Sequence, residues 1–224
     1  MTYWIIFIGV ALVSYMVQQN LQNKFKKYEK VPTASGMTGR EVAEKMLRDN
    51  GIYDVRVTCT PGHLTDHYNP TDHTVNLSES VYHSNSIAAA AVAAHECGHA
   101  VQHATQYAPL QMRSALVPVV SFASNWVQWV LLAGILLVNT FPGLLLLGIL
   151  LFAMTTLFSF VTLPVEVDAS RRATAWLSSA GITNYSNHKM AVDALHSAAY
   201  TYVVAALGSL ATLIYYVMVY TNRR

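Results

Sequence analysis

The sequence predicts a predominantly α-helical, polytopic membrane protein with about four transmembrane helices and a small α/β domain in water. Charge is scarce: Asp, Glu, Lys and Arg fill 12% of the 224 positions, about half the share of a soluble domain. It is also segregated, since residues 1–23, 114–165 and 194–222 hold no charge and the other 120 residues carry all of it at ordinary soluble density. Within the charged part the apolar spacing alternates between helical and strand periods. An apolar share of 53% excludes intrinsic disorder. A net charge of +2 with no basic and aromatic stripe excludes a nucleic acid partner.

A bilayer core of roughly 30 Å takes about 20 helical residues to cross. Residues 3–18 are a short but sufficient first span, with neither a basic leader nor an A-x-A cleavage site before or after it, so residues 1–20 read as a retained anchor. Residues 21–113 form the aqueous domain. There Thr38 and Glu41 make a capping box for a short helix whose apolar face is Val42, Ala43, Met46 and Leu47, ending at Gly51. Val55, Val57 and Cys59 alternate as in a strand, Pro61-Gly62 turns the chain, and Val75 and Leu77 alternate again, giving two or three short strands. Ser86 is a good N-cap for an alanine-rich helix from Ile87 to about Thr105. Cys59 and Cys97 are too few for a disulfide framework and read as small core fillers.

The run 114–163 is too long for one crossing, and Asn139, Pro142 and Gly143 break it into a hairpin of two spans, 116–138 and 143–163. A helical segment, 164–198, returns to the side of the aqueous domain, and the last span, 199–220 within 199–224, is bordered by Tyr200, Tyr202, Tyr215, Tyr216 and Tyr220. The shared side holds twelve of the basic residues, from Lys24 to Lys189, against Arg223 and Arg224 opposite. The positive-inside rule makes that side cytoplasmic. The Lys24–Lys30 cluster needs no role beyond a juxtamembrane stop that touches anionic lipid of the bilayer.

The alanine-rich helix carries AAHECGHAVQH, in which His95, Glu96 and His99 form H-E-x-x-H. Four helical residues advance about 400°, so the two imidazoles share a face about 6 Å apart and can bind one Zn2+. Glu96 lies beside that face, where a carboxylate can take a proton from an activated water. Chance gives this pattern roughly once per hundred chains of such composition. A catalytic zinc needs a third protein ligand. Position 105 is Thr and position 102 is Gln, so a third histidine six residues on is missing. His103 lies about 12 Å along the axis from His95 and cannot join the site, leaving it a supporting or solvated residue. The acids of LPVEVDASRRA remain, delivered to the same compartment by the hairpin. Glu166 and Asp168 lie about 200° apart on a helix and cannot both face one ion. Glu166 is favoured, because Asp168 stands four residues before Arg172 and suits an ion pair, but Asp168 stays the alternative.

SGMTGREVAEKML, YDVRV, GHLTDHYNP, TVNLSESVY, AAHECGHAVQH and LPVEVDASRRA, in that order from Ser35 to Ala173, closely resemble the YugP-like membrane zinc metallopeptidases of bacteria, and TYVVAAL near Thr201 extends the likeness. The resemblance implies a zinc-dependent membrane metalloendopeptidase of the gluzincin kind, related in layout to HtpX-like proteases. It implies His95, His99 and Glu166 as zinc ligands and Glu96 as the catalytic acid/base. Its substrates would be peptides or proteins, among them unfolded membrane proteins and juxtamembrane tails. His63 and His67 could approach the metal or hold a strand edge, though a turn tied by Asp66 explains their segment equally simply. His73, His83 and His188 read as solvated, and His196, Arg171, Arg172 and Tyr202 are candidate oxyanion donors. A non-catalytic zinc-stabilised scaffold that binds partner proteins is the competing class, and the intact Glu96 argues against it, since a structural site needs no base. A metal transporter would need ligands inside the spans, where only His196 is available, near an end. Oligomeric state is not legible.

Overall fold

The computed structural model describes the backbone of residues 2–222 and the side chains of residues 7–222. Seven helices and three strands follow in the order α1 (Thr2–Tyr28), α2 (Gly39–Asp49), β1 (Arg56–Thr60), β2 (His67–Asn69), β3 (Thr74–Ser78), α3 (Glu79–Tyr82), α4 (Ile87–Ala104), α5 (Ala108–Leu136), α6 (Pro142–Ser179) and α7 (His188–Thr221). The architecture is mostly helical with one small sheet. Among the described residues α5, α6 and α7 are long and apolar enough to cross a membrane. The first expected span, 3–18, falls on α1, whose first side chains lie outside the described residues, as do Arg223 and Arg224.

Local signals start the aqueous elements as their chemistry requires. Thr38 and Glu41 close the capping box reciprocally, with Thr38 N–H donating to Glu41 at 2.8 Å and Glu41 N–H donating to the Thr38 hydroxyl at 3.3 Å. Val42, Ala43, Met46 and Leu47 are then buried against α4. The Ser86 hydroxyl accepts the Ala89 N–H and starts α4. Ala88, Ala89, Ala90, Ala91, Ala93 and Ala94 are all buried, so α4 is a thin rod that α2 and α6 approach closely. The strands order β1-β3-β2, with β1 parallel and β2 antiparallel to β3. Strand β2 has only three residues and was not legible as a strand. It exists because β3 offers it a backbone edge.

The helices run past the apolar stretches. Helix α7 begins at His188 rather than near 199, and α6 continues without interruption from the apolar run through Glu166 to Ser179. A charge count marks only the lipid-facing part of such a helix, not its end. Cys97 is buried, but Cys59 is exposed on β1, which corrects its reading as a core filler: the outer face of an edge strand stays in water.

Two crossings demand glycine for room rather than for backbone freedom. In the α5–α6 hairpin a Cβ at Gly134 would stand 2.6 Å from the Leu145 Cα, which lets the two helices pack at small-residue distance. Where α4 crosses α6, a Cβ at Gly98 would stand 2.7 Å from the Ala169 carbonyl oxygen and 3.1 Å from its Cα. The obstructing atoms are backbone and cannot yield by a rotamer change. Gly98→Ala would gain about 1 kcal/mol of helix propensity against an overpacking cost of about 1–3 kcal/mol. A net fall in melting temperature in detergent is expected, and an unchanged or raised temperature would contradict so tight a crossing.

Candidate metal centre

The crossing at Gly98 places one turn of α4 against one turn of α6. His95 and His99 come from α4 and Glu166 from α6. His95 Nε2 lies 3.2 Å from Glu166 Oε2, and His99 Nε2 lies 3.7 Å from the same oxygen. Their donor atoms all fall within 4.8 Å of one another, the only such group of three or more among the described residues. The imidazole rings meet edge to face, 4.8 Å between centroids. Glu166 is 3% and His99 8% exposed. Burial alone would push the Glu166 carboxyl up, but hydrogen bonds from the two imidazoles hold it well below the usual carboxylate range. Burial alone would push His99 down, and the Glu166 and Glu96 carboxylates more than offset it. The pocket therefore favours a cation among its three donors.

A cleft of about 760 Å³ opens onto this group, bounded by α4, β2 and the start of α5. Glu96 lines it, and one of its carboxylate oxygens accepts the Tyr68 N–H of β2 at 3.0 Å. The Tyr68 hydroxyl meets His103 Nδ1 at 2.8 Å, so strand β2 is tied to α4 at both its backbone and its side chain. The Asp66 carboxylate holds the approach to β2 by accepting the Ser78 N–H at 2.7 Å and the Ser78 hydroxyl at 3.0 Å.

The family described as "Putative neutral zinc metallopeptidase" matches residues 3–221. The chain belongs to this family. It is also 43% identical to "Putative membrane protease YugP" of Bacillus subtilis (strain 168) over 221 residues, which cover 98% of this chain and 97% of that protein. No solved structure matches. Zinc is thus the metal of this metallopeptidase family. The donor set suits it, since two imidazole nitrogens and one carboxylate oxygen are typical of zinc sites that keep a fourth position free.

What surrounds the three donors fixes their orientation. His95 Nδ1 meets the Ser170 hydroxyl at 3.1 Å, and His99 Nδ1 meets Gln102 Oε1 at 3.0 Å. Each ring is thereby held by one nitrogen and presents Nε2 to Glu166. Gln102 is fully buried, and its amide donates to the Val165 carbonyl at 2.8 Å and to Asp168 at 3.0 Å. Asp168 also accepts from Arg171 at 2.6 Å and Arg172 at 2.5 Å. That engagement faces Asp168 away from the donors, as the i,i+4 spacing with Arg172 suggested.

The remaining sequence candidates separate cleanly. Tyr202 lines the cleft beside Glu166, whereas Arg171 and Arg172 are turned to Asp168 and His196 is exposed outside the cleft. His67 sits on β2 at the cleft, and His63 does not line it. His73 pairs with Asp54 at 2.7 Å, His83 packs on Tyr82, and His188 bonds Thr183, all away from the donors. Sequence reasoning missed Gln102, Ser170 and Arg113 as parts of the site. Arg113 Nη1 lies 3.5 Å from Glu166 Oε1. The available signals were weak: Gln102 is one turn past His99, Ser170 one turn past Glu166, and Arg113 the last cation before the long apolar run.

Removing a partner that orients a metal-binding histidine usually costs about 10–100-fold in metal affinity. Gln102→Ala and Ser170→Ala are each expected to weaken zinc binding in that range, measured by competition with a chromophoric chelator. Wild-type affinity in both variants would show that the Nδ1 contacts do not hold the rings.

Proposed function

We propose that this protein is a membrane metalloendopeptidase that hydrolyses peptide bonds at the cytoplasmic face, with His95, His99 and Glu166 holding zinc and Glu96 acting as general base. The carrying observation is the convergence of His95, His99 and Glu166 on one point at the wall of a cleft that Glu96 also lines. Bound zinc supplies a Lewis acid that polarises the scissile carbonyl and brings the pKa of the attacking water towards about 7. Glu96 takes the proton released as water attacks the carbonyl carbon, and returns it to the departing amine. The Tyr68 N–H holds one Glu96 oxygen against β2 and so keeps the carboxylate from swinging out of the cleft. Arg113 and Tyr202 are the cationic and hydroxyl donors at the cleft wall available to steady the developing oxyanion.

The substrate class follows from location. Helices α5, α6 and α7 enter the apolar part of the protein within a few turns of the site, so peptides, unfolded membrane proteins and juxtamembrane tails on the cytoplasmic side are the polypeptides that reach it. The excess of basic residues on the side of the aqueous domain supports that sidedness.

In detergent, Glu96→Gln is expected to keep one zinc per chain while turnover of an unfolded protein falls at least about 10²–10⁴-fold. His95→Ala and Glu166→Ala are expected to lose the metal itself, read by elemental analysis after dialysis. Cleavage by Glu96→Gln at the wild-type rate would refute the role of Glu96, and zinc retained by Glu166→Ala but lost by Asp168→Ala would exchange the two acids. Cys59 reports the sidedness directly, because it is exposed while Cys97 is buried. A membrane-impermeant maleimide should label Cys59 in inverted vesicles and spare it in intact cells; labelling of intact cells would place the domain outside.

A further inference from the structure

Two of the three donors, His95 and Glu166, border a second cavity besides the cleft. A space of about 190 Å³ on the α1 and α7 side shares His95, Glu96, Glu166 and Tyr202 with the cleft, but the rest of its wall is mostly apolar. Leu21 and Phe25 come from α1, Val92 from α4, Leu195 and Ala198 from α7, and Leu64 from the loop before β2. Leu21, Phe25, Leu64 and Val92 also border an adjoining space of about 330 Å³, so the apolar surface continues outward between α1 and α4. Leu64 is 62% exposed and has a φ of 60°, a left-handed conformation that a leucine adopts only at an energetic cost. No burial compensates it in this chain.

An apolar cavity of about 150 Å³ already accepts a benzene-sized molecule, so this one has room for one bulky side chain. The geometry points to a specificity subsite: the cavity takes a large apolar side chain, of the Leu, Met or Phe kind, from the residue on one side of the bond to be cut. Leu64 closes over that side chain, and the rest of the polypeptide lies along the polar cleft past Arg113. The substrate class is then a polypeptide carrying an apolar residue next to the scissile bond, as segments at a membrane boundary do. One feature of the cavity argues for substrate over lipid: it opens directly on His95, Glu96 and Glu166.

This inference rests on the peptidase reading, and the test separates the two. Zinc-loaded full-length protein in detergent is given a peptide series on one scaffold, with Ala, Leu or Phe at each position flanking the cleaved bond, and cuts are mapped by mass spectrometry. The wild type is expected to show a kcat/KM about tenfold higher for Leu or Phe than for Ala at one flank. Leu64→Ser and Ala198→Leu should each reduce that ratio several-fold, the first by removing the cover and the second by filling the cavity, with zinc content unchanged. Leu64 is exposed, so its variant decides the matter even if Ala198→Leu fails to fold. Absence of apolar preference at either flank, or a ratio untouched in Leu64→Ser, overturns the subsite while leaving a peptidase. Zinc-loaded wild type that cuts no peptide overturns both.

Discussion

The site depends on how closely two helices can approach. His95 and His99 on α4 reach Glu166 on α6 because Gly98, between them, lets the α4 backbone press against Ala169, where any side chain would strike backbone atoms. The distances that make the donor group, 3.2 and 3.7 Å to one carboxylate oxygen, are consequences of that crossing. The alanines before it serve the same end. A helix whose buried face is Ala88 to Ala94 has no bulk to hold α2 and α6 apart, so α2, α4 and the end of α6 at Ala173 and Leu177 share one packed interior.

Burying a carboxylate and two imidazoles is costly unless every polar atom has a partner. The structure meets that requirement by a chain of contacts running from the donors into the protein: His99 to Gln102, Gln102 to Asp168, and Asp168 to Arg171 and Arg172 at the water boundary. No buried side-chain nitrogen or oxygen among the described residues lacks a partner. Asp168 and Glu166, two residues apart on one helix, thus have opposite duties. One anchors the hydrogen-bonded frame, and the other faces the histidines.

The position of the site relative to the apolar spans matters equally. Helix α6 is continuous from Pro142 to Ser179, so a single helix carries Glu166 out of the hydrophobic region and onto α4. Helix α7 presents Tyr202 at the same level, and α1 is tied to α7 by Lys24 and Tyr28, which meet Asp193 at 2.8 and 2.6 Å. The cleft and the apolar cavity therefore lie where the polar residues around Glu166 meet the apolar parts of α6 and α7.

Much of this was legible in the linear chain because it is local. The capping box at Thr38, the Ser86 cap, the break at Asn139 to Gly143 and H-E-x-x-H are all set by residues within a few positions of one another, and helical geometry alone brings His95 and His99 to one face. Glu166 was favoured by counting expected membrane crossings, and the structure brings it within 3.2 Å of His95. Strand β2, the starts of α5 and α7, and the roles of Gln102, Ser170 and Arg113 were not. The last three act through contacts spanning dozens of residues, between Gln102 and Asp168, Ser170 and His95, and Arg113 and Glu166. The sequence by itself determined that a zinc-binding pattern sits on one helix between long apolar runs. Only the tertiary structure decided which acid faces the histidines and what holds them in place, because those choices turn on distances of a few ångströms across a crossing that no local pattern encodes.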